Sequence, residues 1–286
     1  MANTQKTLKR RRKIGRFAWR ALSAYGVLFF VFIYLPIALI FVFSFNNNPI
    51  NMMSWSGFTF DWYKSIFGLS NQLTEDALYV ESTEELLQAV ETSLIVAFVA
   101  TTVSTILGTS TALALHRFKF WLRPFYQMLM FMPMIMSDIV LGIALLIFFV
   151  GFGIHLSIFT IIIGHCTFLS SYVFIVVSAR LAGMDATHDE ASADLGANEW
   201  QTFRRVTLPM IMPGVIGGAL LAFIISMDDL VITYFIAGVD STTLPVFILG
   251  MLRRGIKPEI NAIASLMLLF SLIVASAGLY LRSRQK

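Results

Sequence analysis

Three carboxylates stand inside long apolar runs: Asp138 in MPMIMSDIVLGIALLIFF, and the adjacent Asp228 and Asp229 in LAFIISMDDLVITYF. An aspartate near a bilayer centre costs about 2.5–3.5 kcal/mol on insertion scales, so it faces a bundle interior or a watery path, or bonds a neighbouring helix. The chemistry it suits is charge pairing, because a cation in the path offsets the cost of an unpaired buried carboxylate. Counted along uninterrupted helices from their inner ends, Asp138 lies roughly 20 Å up and Asp228 roughly 28 Å up, both toward the outer half. Neighbours on one helix point about 100° apart, and of the pair Asp228 is expected to face the path. Pro133 leaves the backbone carbonyl about one turn earlier without its helical partner and is expected to bend or open the helix beside Asp138. Glu259, in PEINAIAS, either lines the mouth of the path or caps its own helix.

No other set of residues suggests bond-making chemistry. His116, His155, His165 and His188 are scattered over different segments and read as structural. The single cysteine, Cys166, sits in an apolar run as a packing residue and excludes a disulfide framework. There is no G-x-x-x-x-G-K-[ST] phosphate cradle, and nothing resembles a nucleophile–base pair, a zinc ligand set or a dinucleotide loop. The chain is expected to be no enzyme, with no cofactor and no metal.

The elements that must carry the acids follow from composition. Of 286 residues 57% are hydrophobic and 13% charged, with mean hydropathy +0.76 and 26 Phe. A soluble domain has roughly 45–50% and 25%, so a soluble enzyme and a disordered chain are both excluded. An all-α integral membrane protein is expected, with six transmembrane helices in the runs 21–45, 89–115, 125–150, 158–182, 209–235 and 260–281. With both termini in the cytoplasm, 17 of the 21 Lys and Arg fall on inner segments, as the positive-inside rule requires. The chain then divides into a basic cytoplasmic segment 1–20, a first transmembrane helix 21–45 kept as an anchor, an acidic periplasmic loop 46–88, a core of five helices over 89–282 and a cytoplasmic tail 283–286. The RRRK run before the first span reads as topology and contact with membrane lipid, not nucleic-acid binding. Trp55, Phe58, Phe60, Trp62 and Tyr63 are expected to lie at the membrane interface as an amphipathic segment, and Trp19, Tyr25, Trp121 and Tyr280 to anchor spans there.

Between the fourth and fifth spans, GMDATHDEASADLGANEWQTFRRVTLPMIMP is polar yet patterned. Asp185, Thr187 and Asp189 offer N-caps, Gly196 breaks the first helix, and a second helix restarts with Trp200, Phe203 and Val206 or Thr207 on one stripe until Pro209 ends it. Two short helices across the inner face are expected. Glu190, Ala191, Ser192, then Gly196, then Val206, Leu208 and Pro209 match E-A-A-x-x-x-G-x(9)-I-x-L-P, with Ser192 for the second alanine and Val206 for isoleucine. That pattern resembles the EAA signature of ABC importer permeases. SMDDLVITYFIAG, TTLPVFILGMLRRGIKPEINAIASL, SFNNN, FDWYKSIF and SDIVLGIALLIFF further resemble the polyamine (spermidine/putrescine) permeases of that family, which often carry Pro before the acid where this chain has Ser137.

The resemblance implies a type I ABC importer permease of MetI-like fold in a bacterial inner membrane. It implies that 183–209 is a coupling loop, with Glu190, Ala191, Ser192, Gly196, Leu208 and Pro209 engaging a separate ATPase that binds the ATP. The implied partners are a PotA-like ABC ATPase dimer, a PotB-like second permease forming a heterodimer with this chain, and a PotD-like periplasmic polyamine-binding protein. Asp138, Asp228, Asp229 and Glu259 are the expected substrate-path acids. Two other cases stay open: another small substrate for the same machine, with anions disfavoured because no Lys or Arg lies within a span apart from Arg180 at the inner end of 158–182, or an ion-coupled transporter.

Overall fold

In a computed structural model the described residues are 2–48, 54–67, 69, 80–184, 191–192, 194–239, 241–254 and 259–283. Among them structure is helical apart from one isolated bridge between Asn46 and Phe58. Two compact units emerge, one from 1–72 with 257–267 and the other from 73–256 with 268–286.

The first unit contains α1 (Ala2–Phe43) and α2 (Asp61–Ile66). The stretch Trp19–Phe43 is 25 residues long and unburied along its apolar window, as suits a lipid-facing span. After α1 the chain turns on Asn46. Its side chain donates to the Ser54 carbonyl at 2.8 Å and accepts from the Ser56 and Asn48 amides at 3.1 and 3.3 Å. Of the aromatics expected at the interface, Trp55, Phe58 and Phe60 are exposed, whereas Trp62 closes onto this turn. Trp62 is only 2% exposed and donates its indole N–H to the Asn46 carbonyl at 2.8 Å. Phe45 stacks on Phe58 at 5.0 Å and meets Phe60 and Tyr63 at 5.4 and 5.3 Å. Trp62 therefore corrects the anchor expectation: its N–H has a backbone partner inside the unit, and its apolar body is core.

The second unit holds α3 (Val80–Arg117), α4 (Arg123–Ile135), α5 (Asp138–Gly151), α6 (Ile158–Ala182), α7 (Glu199–Thr202), α8 (Leu208–Asp228), α9 (Val231–Ile236) and α10 (Leu244–Arg254). The helix α11 (Glu259–Ser283) joins it from residue 268. Apolar nearly all round, α6 is the buried centre, with Ile161, Leu169, Val173, Phe174 and Val177 closed off. Small residues let its neighbours approach closely. A Cβ on Gly108 of α3 would lie 2.7 Å from the Ser170 carbonyl, and one on Gly218 of α8 would lie 3.4 Å from Val173 Cα. Val173 is thus gripped by glycines from both sides.

Two expected spans are broken. Instead of one helix over 125–150, α4 and α5 meet at 108°. Pro133 lies inside α4, and the break falls three residues later, where Met136 and Ser137 take extended backbone with ψ of 147° and 138°. The run 209–235 likewise breaks: α8 stops at Asp228, Asp229 has ψ 120°, and α9 follows. Its other end is longer than expected. The helix is continuous over Glu199–Asp228 through Pro209, with a wider π-helical turn at Phe203–Thr207. That turn gives the Leu208 amide the Phe203 carbonyl and relieves the clash a proline ring makes four residues back.

Among the described residues four helices are long and apolar enough to cross a bilayer, five if the bent pair is one span. The sixth expected span falls on α11, whose described apolar part, Ile260–Ile273, is shorter.

Candidate functional site

Asp138, Asp228 and Asp229 gather at the two breaks. Asp138 is the first residue of α5 and is exposed. The unsatisfied N–H groups and positive dipole end of α5 therefore already stabilise its charge. Asp228 is the last residue of α8, also exposed. There the dipole reverses: free carbonyls at a helix C-terminus add negative potential to the carboxylate and call for a cation.

Asp229 has a different fate. Its Oδ2 accepts from the Thr233 amide at 2.9 Å and the Thr233 hydroxyl at 2.7 Å, and lies 3.3 Å from His165 Nε2. This caps the first turn of α9, and the side chain is 8% exposed. So the two acids do not share one helix, and Asp229 is committed to its own chain. The short helices after the breaks pack on each other, with Gly142 of α5 against Phe235 and Ile232 of α9. Glu259 starts α11, and its side chain lies outside the described residues.

His165 is the residue sequence reasoning missed. It is fully buried, with Nδ1 2.8 Å from Ser226 Oγ and Nε2 2.9 Å from Thr233 Oγ1. A signal existed: Ser226, Asp229 and Thr233 recur at spacings of three and four in an apolar run, a polar stripe that needs a partner within the bundle.

At the coupling-loop end, Asp185, Thr187, His188, Asp189 and Glu190 lie outside the described residues. Beyond them Ala191, Ser192 and Asp194 are helical. Gly196 turns the chain at φ +81°, a conformation glycine takes without strain. Asn198 then forms a capping box, its Oδ1 accepting from the Gln201 amide at 2.8 Å while its amide donates to Gln201 Oε1 at 3.0 Å. Ser192, which replaces the alanine of the signature, is buried and its hydroxyl pairs with Thr202 at 2.7 Å, tying one side of the turn to the other. Leu195 and Trp200 are left exposed at the tip, and Trp200 stacks on Phe203 at 5.6 Å. Pro209 is exposed and Leu208 half-buried, both within the long helix. Leu113, His116, Arg117, Leu181, Met184 and Phe203 help line a cavity of about 310 Å³ between this helix and the ends of α3 and α6. The first turns of the long helix are thus not packed solid.

Residues 104–286 match the family described as the binding-protein-dependent transport system inner membrane component. The chain belongs to this family. It is 36% identical over 249 residues to the spermidine/putrescine transport system permease protein PotC of Escherichia coli (strain K12), covering 87% of this chain and 89% of that protein. To the putrescine transport system permease protein PotI of the same organism it is 37% identical over 276 residues, covering 94% and 92%. Among solved structures it resembles a bacterial ABC transporter that imports the acidic polysaccharide alginate, with a TM-score of 0.69 at 14% identity over 94% of this chain and 96% of that one. The MetNI methionine ABC transporter gives 0.60 at 18% identity over 70% and 96%. The fold is that of ABC importer permeases. As a member of this binding-protein-dependent family the chain is a non-catalytic, multi-pass inner-membrane transport subunit that works with an ATPase and a binding protein.

Proposed function

We propose that this chain is a polyamine permease, passing spermidine or putrescine inward across the inner membrane while a PotA-like ATPase dimer supplies the energy. One observation carries the mechanism: the helix Glu199–Asp228 runs unbroken from the coupling loop to the exposed carboxylate at the second break. Thirty residues at 1.5 Å each make a rod of about 45 Å. A push on Ala191, Ser192, Gly196 and Trp200 at one end therefore moves Asp228 at the other. Leu208 and Pro209 sit within the rod beside its π-helical turn, where a helix can rewind at low cost.

The substrate class rests on the likeness to PotC and PotI and on the electrostatics of Asp228. A protonated amine fits a carboxylate at a helix C-terminus; an anion does not. Asp138 supplies a second, self-stabilised negative charge. The distribution of Lys and Arg puts both termini in the cytoplasm, with 46–88 outside facing a PotD-like binding protein and 183–209 inside facing the ATPase. A PotB-like second permease completes the path.

The test is radiolabelled spermidine uptake by the reconstituted four-component importer carrying Asp228→Asn. Uptake per assembled complex is expected to fall about tenfold or more, the scale of one lost charge-assisted contact. Normal uptake would overturn the assignment of Asp228 to the path.

A further inference from the structure

His165 is the one fully buried titratable side chain among the described residues, and passage along Asp138 and Asp228 does not use it. A histidine and a carboxylate held this deep are costly, and residues of that kind are kept for a task. The ring joins three elements. It rises from α6, reaches Ser226 two residues before the end of α8, and reaches Asp229 and Thr233 on the far side of the break. It therefore spans the stretch in which the backbone leaves the helical path.

Proton placement follows from the partners. The Thr233 hydroxyl donates to Asp229 Oδ2, so Thr233 Oγ1 is free to accept from His165 Nε2–H. Nδ1 then accepts from the Ser226 hydroxyl. Asp229 Oδ2 accepts from the Thr233 amide and the Thr233 hydroxyl and lies 3.3 Å from the imidazole Nε2. At its other end α9 is tied to α6 as well, since Thr160 Oγ1 donates to the Ile236 carbonyl at 2.9 Å. Gly164, next to His165, admits Ile236 into direct contact with α6. With α9 fixed at both ends, the conformation of the break is set by the Asp229 anchor.

We propose that His165 is a positioning residue for the translocation path: by holding Asp229 against α6 it turns the preceding carboxylate, Asp228, to the open side of the break. This rests on Asp228 being the path carboxylate. The contrast between neighbours supports it, because Asp229 is 8% exposed at the side chain while Asp228 is exposed.

The arm toward Asp229 and Thr233 is the one that matters, which separates positioning from simple core packing. A glutamine amide at 165 reaches the place of Nε2, an asparagine amide that of Nδ1. In proteoliposomes holding the whole importer, His165→Asn is expected to lower ATP-driven spermidine uptake per assembled complex about tenfold, and His165→Gln by less than about threefold. Ser226→Ala, which removes only the other arm, also stays within about threefold. On an Asp228→Asn background His165→Asn adds no further loss, since both act through one carboxylate. If His165→Asn does not assemble, Asp229→Asn weakens the same arm and carries the same expectations. Equal losses for Gln and Asn, normal uptake in both, or a full additional loss on the Asp228→Asn background would overturn the positioning role while leaving Asp228 in the path. Normal uptake by Asp228→Asn alone would remove the path assignment, and this role with it.

Discussion

Where α8 ends, its last carbonyls and the Asp228 carboxylate point the same negative potential into open space, whereas Asp138 sits on the positive end of α5. The two acids therefore differ in their need for a cation. Asp138→Asn is expected to cost less than about threefold in spermidine uptake, against about tenfold for Asp228→Asn; a reversed order would show that the dipoles do not rank them. That acids lie within apolar runs was legible in the sequence. Of the adjacent pair the sequence reading favours Asp228, but the cause of its exposure was not legible: Asp229 leaves the helix at ψ 120° and turns onto His165. Outside the spans, Asp61 is held below the usual aspartate range, first by its hydrogen bond with Thr59 and then by that from Lys64, whose ammonium lies 3.0 Å away. A depressed folded-state pKa stabilises above the unfolded value and is lost as pH falls through the folded one. In a variant keeping Trp62 as its only tryptophan, emission should hold steady from neutral pH down to about 4 and shift red only below that. A red shift beginning near neutrality would show that another group controls the turn.

Among the elements, the apolar spans were readable from hydropathy, and the turn at Gly196 from the spacing of Ala191, Ser192, Gly196, Leu208 and Pro209. A bend beside Asp138 was readable from Pro133, but its exact place and the second break, after Asp228, were not. Pro133 stays inside α4, and Met136 and Ser137, with no glycine or proline between them, take the bend; Pro209 passes through a helix because the turn before it widens. Close packing gives a sharp comparison. A Cβ at Gly108 would meet the backbone of Ser170 and Phe174 at 2.7 and 2.9 Å, whereas at Gly217 it would meet nothing within 4 Å. Gly108→Ala should lower the melting temperature of the detergent-solubilised complex by several degrees, and Gly217→Ala should leave it unchanged or raise it slightly. Similar behaviour of the two would contradict the α3–α6 packing. At the loop, Gly196→Val forces a branched side chain to φ +81°, a strain of about 1–2 kcal/mol. Binding-protein-stimulated ATP hydrolysis should fall with the complex still assembled.

For the whole molecule, the chain has no nucleotide cradle in its sequence, yet one helix runs from the loop proposed to couple to the ATPase to the exposed carboxylate proposed for the path. Membership of the binding-protein-dependent family and likeness to PotC and PotI are what the proposed partners and cargo rest on. On the proposed reading, hydrolysis elsewhere reaches the path through 183–209. The most direct measurement is radiolabelled spermidine uptake into proteoliposomes holding this chain with its ATPase, second permease and binding protein, run with and without ATP and with Glu190→Lys. Uptake that requires ATP, is competed by putrescine and is lost in Glu190→Lys is the result expected of a coupled polyamine permease. Spermidine entry that proceeds without ATP, or is untouched by Glu190→Lys, would contradict it.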